Sequence, residues 1–272
     1  MEYSRTLGSQ HSSGSPYILD NAGKEASARF PALSDVFDPG TIRQLEDVGV
    51  SPGFHCLEVG GGGSIAAWLA ARVAPTGHVL VTDIDPRFLE SMNLPHTEVI
   101  RHDIATDPLP EAAFDLIHSR LVLVHVAERE KALARMVAAL KPGGWLVEED
   151  FDSSVFPDPA LSSGEVLLKT HIAMTRLMDA RGIDRGFGRR LFGLLRTLGL
   201  VDVAAEGRTF MWPFGSPGPS LMRANYEQLR GAMIGAGYLT EQEFDQDIAR
   251  LDDPSFLMPS PILWTARGRR PN

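Results

Sequence analysis

The run Leu57-Glu58-Val59-Gly60-Gly61-Gly62-Gly63-Ser64 sets four glycines between a short apolar stretch and a segment with helical spacing. Backbone without a Cβ lets a ligand approach closely, and in an open parallel sheet ligands lie beyond the carboxyl ends of the strands. Asp83 follows Gly63 by twenty residues and closes the next apolar stretch. A carboxylate there can accept hydrogen bonds from both hydroxyls of a ribose. Asp103 closes the third stretch, within reach of an adenine amino group. A glycine loop alone is compatible with a plain tight turn. A Gly-rich end followed by two acidic ends points to a nucleoside-containing ligand.

Proton transfer has candidates at the next two ends. His118 closes the fourth stretch, and an imidazole titrates near neutrality. Glu149 and Asp150 close the fifth, where strand alternation lets only one of the pair face a site. His118 reads equally well as a positioning side chain. Arg120 could orient an anionic substrate, and His125 reads as structural. His55, His78, His96 and His102 lack ligand spacing, so no metal site is expected.

Alternating elements must position these residues. Residues 54–59, 78–82, 98–101, 114–118 and 145–149 read as strands. Ile65, Trp68, Leu69 and Val73 recur at helical spacing after the glycines. Asp85-Pro86 looks like a helix start, and residues 128–140 form an amphipathic helix with Leu133, Met136, Val137 and Leu140 on its buried stripe. The pattern predicts an α/β, doubly wound sheet covered by helices on both faces. Towards the N-terminus, Asp38-Pro39-Gly40 reads as a turn between two short helices. Towards the C-terminus come a helix over 189–198, strands over 200–206 and 262–266, and two helical patterns between those strands. The second opens on the Thr240/Glu243 spacing of a capping box.

Two nucleoside cofactors suit the loop. Gly61-x-Gly63-x-x-Ala66 passes as a dinucleotide fingerprint. The other cofactor is S-adenosyl-L-methionine (SAM). Residues 54–150 resemble a class I SAM-dependent methyltransferase through Glu58-x-Gly60-x-Gly62, Asp83, Asp103, Phe114-Asp115-Leu116-Ile117 and Leu140-Lys141-Pro142-Gly143-Gly144. The chain departs from the family at Ser64, where a third glycine is usual and where serine suits a helix N-cap. The wider likeness is to actinobacterial methyltransferases of small-molecule, quinone and natural-product pathways, through to Ala266-Arg267-Gly268-Arg269-Arg270-Pro271.

The resemblance implies a mostly parallel seven-stranded sheet, with the last strand antiparallel and inserted between the fifth and sixth. It implies cofactor contacts from Tyr17, Arg29, Glu58, Gly60, Gly61, Gly62, Asp83, Ile84, Asp103, Ile104 and Ser119, with His118 and Glu149 facing the transferred methyl. Residues 1–16 are expected as a tail, 17–50 as a lid, and 51–208 with 262–272 as the SAM-binding core, of which 151–185 caps the site. Residues 209–261 are expected as an acceptor-side insertion. Phe151, Phe156, Met174, Met178, Phe210, Met211, Trp212, Phe214 and Tyr226 are together candidates for an apolar pocket, although any one of them taken singly reads first as ordinary core.

The 272 residues carry a net charge of −9, and 43% are hydrophobic. The acidic balance argues against nucleic acid. So does Asp115-Leu116-Ile117-His118-Ser119, which is not the Asn/Asp-Pro-Pro-aromatic signature of enzymes that methylate nucleic-acid bases. The single cysteine, Cys56, excludes an internal disulfide, and neither a membrane span nor a secretory signal is evident; a cytoplasmic protein is expected. The expected function is SAM-dependent methylation of a small apolar or aromatic molecule, with oxygen, nitrogen and carbon all open as the methylated atom. A nucleotide-dependent oxidoreductase and a SAM-binding subunit without turnover are the alternatives.

Overall fold

The computed structural model describes residues 26–61, 63–154 and 169–272. The expected tail over 1–16, and the expected roles of Tyr17, Gly62 and Phe156, fall outside them.

The chain opens with α1 (Ala26–Asp47) and then alternates β1 (His55–Val59), α2 (Ser64–Val73), β2 (His78–Asp83), α3 (Arg87–Glu90), β3 (Thr97–Arg101), β4 (Phe114–Arg120), α4 (Arg129–Ala139) and β5 (Leu140–Asp152). Then follow α5 (Lys169–Ala180), α6 (Leu191–Thr197), β6 (Val201–Arg208), β7 (Met211–Pro213), α7 (Pro217–Gly235), α8 (Glu241–Arg250), β8 (Leu257–Pro259) and β9 (Ile262–Arg269). Seven strands form one sheet in the order β3-β2-β1-β4-β5-β9-β6. The β1–β5 pairs are parallel, and β9 runs antiparallel to both neighbours, β5 and β6. This is the expected topology, with the last strand inserted beside the fifth.

Hydrophobic pattern explains the central strands. In β1, Cys56, Leu57 and Val59 are buried, as a strand covered on both faces requires. Helix α4 buries Ala132, Leu133, Met136 and Ala139, whereas Val137 is half-buried. Leu140, read as the end of that helix, begins β5 instead, and Lys141 pairs with Asp115 at 2.7 Å. The capping box of α8 is complete: the Thr240 hydroxyl accepts from Glu243 N, and the Glu243 carboxylate accepts from Thr240 N.

Three local expectations fail. Asp38-Pro39-Gly40 is no turn; one 22-residue helix runs through Pro31 and Pro39. Arg120 holds Asp38 at 2.8 Å, and the helix lies so close to β6 that a Cβ on Gly40 would stand 2.6 Å from the Arg208 guanidinium carbon. These contacts outweigh the local breakers. Asp85 caps no helix: Pro86 is the N-cap of a four-residue α3, and the Asp85 carboxylate takes Arg87. Ser64 is the first residue of α2, and the N-cap is Gly63 at φ 95°.

Because β6 ends at Arg208 and antiparallel β9 begins at Ile262, the residues between leave and return at the same end of the sheet. They build a small cap of α7, α8 and the antiparallel β7–β8 pair, packed on α1 and α5. The β7–β8 pair had no signal in the sequence, since each strand is only three residues long.

Candidate functional site

The carboxyl ends of β1, β2 and β3 bring the glycine loop and two acidic residues to one edge. Gly60 has φ 68°, and its N–H donates to Thr82 O at 2.7 Å. A Cβ there would stand 2.2 Å from Val122 Cγ2, so the loop is pressed against the segment after β4. Gly61 is buried behind Glu58. Ser34 of α1 donates to Ser64 Oγ at 3.0 Å, tying the first helix to the loop. At the end of β2, Asp83 accepts from Asp85 N at 2.8 Å, and burial pushes its carboxyl up to about 6. Ile84 beside it is an exposed apolar side chain, a surface suited to a flat ligand. Asp103 accepts from Ala105 N at 2.8 Å. Ile104 is core, and Ser119 is wholly buried beside the Glu148 carboxylate.

A cavity of about 170 Å³ opens next to the loop, many times the space one water needs. Glu58, Gly60 and Ser64 form one wall. Phe30 and Leu33 of α1, with Phe151, Met174, Met178 and Trp212, form apolar walls. The charged groups among its described lining are Arg29, Arg120 and Glu58. Arg29 is buried and donates to Gln228 at 2.6 Å. Arg120 donates to Thr41 at 2.9 Å and to Asp38.

Of the nine apolar pocket candidates, four line this cavity. Phe210 packs edge-on against Phe37 in the cap core, and Tyr226 is fully buried there. Met211 and Phe214 are exposed.

His118 and Glu149 do not present a base to the cavity. Both are wholly buried, and neither is part of the cavity wall. His118 Nδ1 lies 2.6 Å from Glu58 Oε2, and Nε2 lies 3.5 Å from Glu149 Oε2. Burial opposes charge on the ring, but Glu58 and then Glu149 outweigh it and raise the imidazole to about 9. Burial likewise opposes charge on Glu149, but the His118 hydrogen bond and the charges of His118, Arg120 and Arg208 hold its carboxyl down at about 2. Arg208 donates to Glu149 at 2.6 Å, and Thr41 and Thr265 donate as well. The result is a buried ionic chain from Glu58 to α1 and β6. Asp150, on the opposite face of β5, accepts from Val124 N at 3.0 Å and shapes the segment before α4.

Two histidines stand on the cavity wall, His125, which the sequence reading took as structural, and His171, which it did not single out. His125 ends a short 3-10 turn, and burial, with Arg29 and Arg129 nearby, lowers it to about 4. His171 is lowered to about 3 by burial and by Arg185, and its Nδ1 lies 2.9 Å from Tyr226 Oη. Both rings are therefore neutral near pH 7. The His171, Met174, Met178 spacing on α5 is a helical stripe, and that periodicity was the available signal. Among the described residues no cluster of His, Cys, Asp and Glu could hold a metal, and no helix is long and apolar enough to cross a membrane.

Residues 57–147 match the family described as a methyltransferase domain. The strand order and the loop above are those of the Rossmann-like methyltransferase fold. Methyltransferase str2 of Strobilurus tenacellus is 30% identical over 179 residues, covering 65% of this chain and 63% of that one. The ubiquinone/menaquinone biosynthesis C-methyltransferase UbiE of Ectopseudomonas mendocina is 30% identical over 139 residues, covering 46% and 54%. This chain thus spans roughly half to two thirds of the length of those relatives. In fold it is similar to the YcgJ protein of Bacillus subtilis, with a TM-score of 0.56 at 13% identity over 86% of this chain and 99% of the other. Phosphoethanolamine N-methyltransferase 2 of Haemonchus contortus, solved with SAM, has a TM-score of 0.57 at 15% identity, over 90% and 56%.

Proposed function

We propose that the protein transfers the methyl group of SAM to a small apolar or aromatic acceptor held between the glycine loop and the cap. One observation carries this reading: a single cavity is walled by Glu58, Gly60 and Ser64 on one side and by Phe151, Met174, Met178 and Trp212 on the other. Donor and acceptor can therefore meet without crossing water. The name of the UbiE relative, a ubiquinone/menaquinone biosynthesis C-methyltransferase, supports a small-molecule acceptor.

The residues fit the donor. Gly60 turns with positive φ where a side chain would not fit, the Glu58 carboxylate borders the cavity, and Asp83 and Asp103 close the next two strands. Glu58 would hold the methionine ammonium, Asp83 the ribose hydroxyls and Asp103 the adenine edge, with Ile84 under the ring. Bound SAM supplies a methyl on a sulfonium, whose sulfur keeps the C–S electron pair as the acceptor atom forms its new bond to carbon. The leaving group needs no proton, so this chain's part is to align donor and acceptor and to exclude water. With His118 and Glu149 locked in the ionic chain, the neutral rings of His125 and His171 are the imidazoles that face the acceptor.

Asp83→Ala is expected to weaken SAM by about ten- to a thousandfold, because hydrogen bonds to a charged group contribute about 1.5–3 kcal/mol each. Ribose hydroxyls favour the ionised carboxylate. SAM affinity should therefore hold above neutrality and fall as pH drops through about 6. Calorimetry from pH 8 to 5 checks this, and Asp83→Asn should remove the dependence; a flat wild-type profile contradicts the assignment. For the reaction itself, the protein is incubated with methyl-labelled SAM and an extract of the producing cells, and labelled masses are read. Label in lipophilic small molecules supports the proposal. Label only in nucleic acid or protein refutes it.

A further inference from the structure

On the cap side of the cavity, two polar atoms are buried without a protein partner: Trp212 Nε1 and Asn225 Oδ1. Trp212 is 3% exposed, and Asn225 sits on α7. The indole is fixed in place, since Gly218 packs so tightly on it that a Cβ there would stand 2.1 Å from Trp212 Cγ. Burying a donor or acceptor without a partner is costly, so such atoms on a ligand-sized cavity wall mark where a ligand supplies the missing bonds. One is a donor and the other an acceptor. A hydroxyl matches both in kind, since it can accept from an indole N–H and donate to an amide oxygen. The charges on the wall narrow the class further. The described wall carries one carboxylate, Glu58, already paired with His118 and assigned to the donor's ammonium, and Arg120 is paired with Asp38, so no carboxylate there is left for a second cation. A cationic amine is disfavoured there, and a neutral or weakly acidic hydroxyl is not.

We propose that Trp212 Nε1 and Asn225 Oδ1 form a paired polar subsite that selects a hydroxylated aromatic acceptor. This rests on the acceptor cavity assigned under the proposed function and adds which polar group the acceptor carries.

Three bicyclic probes separate the contributions: 2-naphthol can accept and donate, 2-methoxynaphthalene can only accept, and naphthalene can do neither. Equilibrium dialysis is run on the full chain with saturating S-adenosylhomocysteine, on wild type, Trp212→Phe and Asn225→Leu, with thermal midpoints confirming folding. Wild type should bind 2-naphthol about tenfold or more tighter than naphthalene, with 2-methoxynaphthalene between them. Trp212→Phe should bring both oxygen-bearing probes down towards naphthalene. Asn225→Leu should bring 2-naphthol down to 2-methoxynaphthalene and leave the other two within about twofold. Equal binding of all three probes to wild type, or equal loss of all three in the variants, overturns the subsite while keeping the cavity as an aromatic site. Failure of all three to bind wild type overturns the aromatic-acceptor reading itself, and the subsite with it.

Discussion

His118→Ala should cost about 3–5 kcal/mol of stability, the range for breaking a buried ion pair by removing one partner. In a domain of this size that corresponds to a fall of roughly 6–20 °C in thermal midpoint. The loss arises because Glu58 and Glu149 would face each other across a hole with no cation between them; both are buried, and His118 touches each. The sign of the pH dependence follows from the raised imidazole, at about 9 against an ordinary 6.5. Stability from the charged ring is complete below the ordinary value and is lost as pH rises through about 9. The gap between wild type and variant should therefore be widest at neutral and acidic pH and close on the alkaline side. Thermal melts from pH 6 to 10 read this directly. A catalytic base would give the reverse pattern, a rate loss of about 10²–10⁴ with an unchanged midpoint.

Gly60→Val should abolish detectable SAM binding, a loss above about a hundredfold, in a protein that still melts cooperatively. The new Cβ would strike Val122 at 2.2 Å, and a β-branched residue at φ 68° is strained whatever the space. The loop must then move, and Gly60 N–H loses Thr82 O as its acceptor. Two causes are separable. Gly60→Ala with Val122→Ala removes the collision and keeps the backbone strain, so it should recover part of the affinity. Calorimetry on the three proteins checks the order, and normal binding by Gly60→Val would move the donor away from this loop.

The sheet was legible because buried parallel strands leave uninterrupted apolar runs, and because the glycines and acidic residues mark strand ends whatever the surrounding packing. The site's second half was less so. His118 was read from its place at a strand end, but which face it takes depends on a pairing with Glu58 and Glu149 that joins residues far apart in sequence. The continuous α1 was hidden by Asp38-Pro39-Gly40, whose local preference is overridden by Arg120 and Arg208. Trp212 and Tyr226 look alike as aromatics in one insertion. Only the fold lines the cavity with the first and buries the second in the cap core against His171.

The most direct test of a class I donor site sharing one cavity with an apolar acceptor is a crystal structure with S-adenosylhomocysteine. The ribose should lie on Asp83, the ammonium on Glu58, and the sulfur should face the space between Phe151, Met174 and Trp212. A ligand bound elsewhere, or one whose sulfur points away from that space, would contradict it.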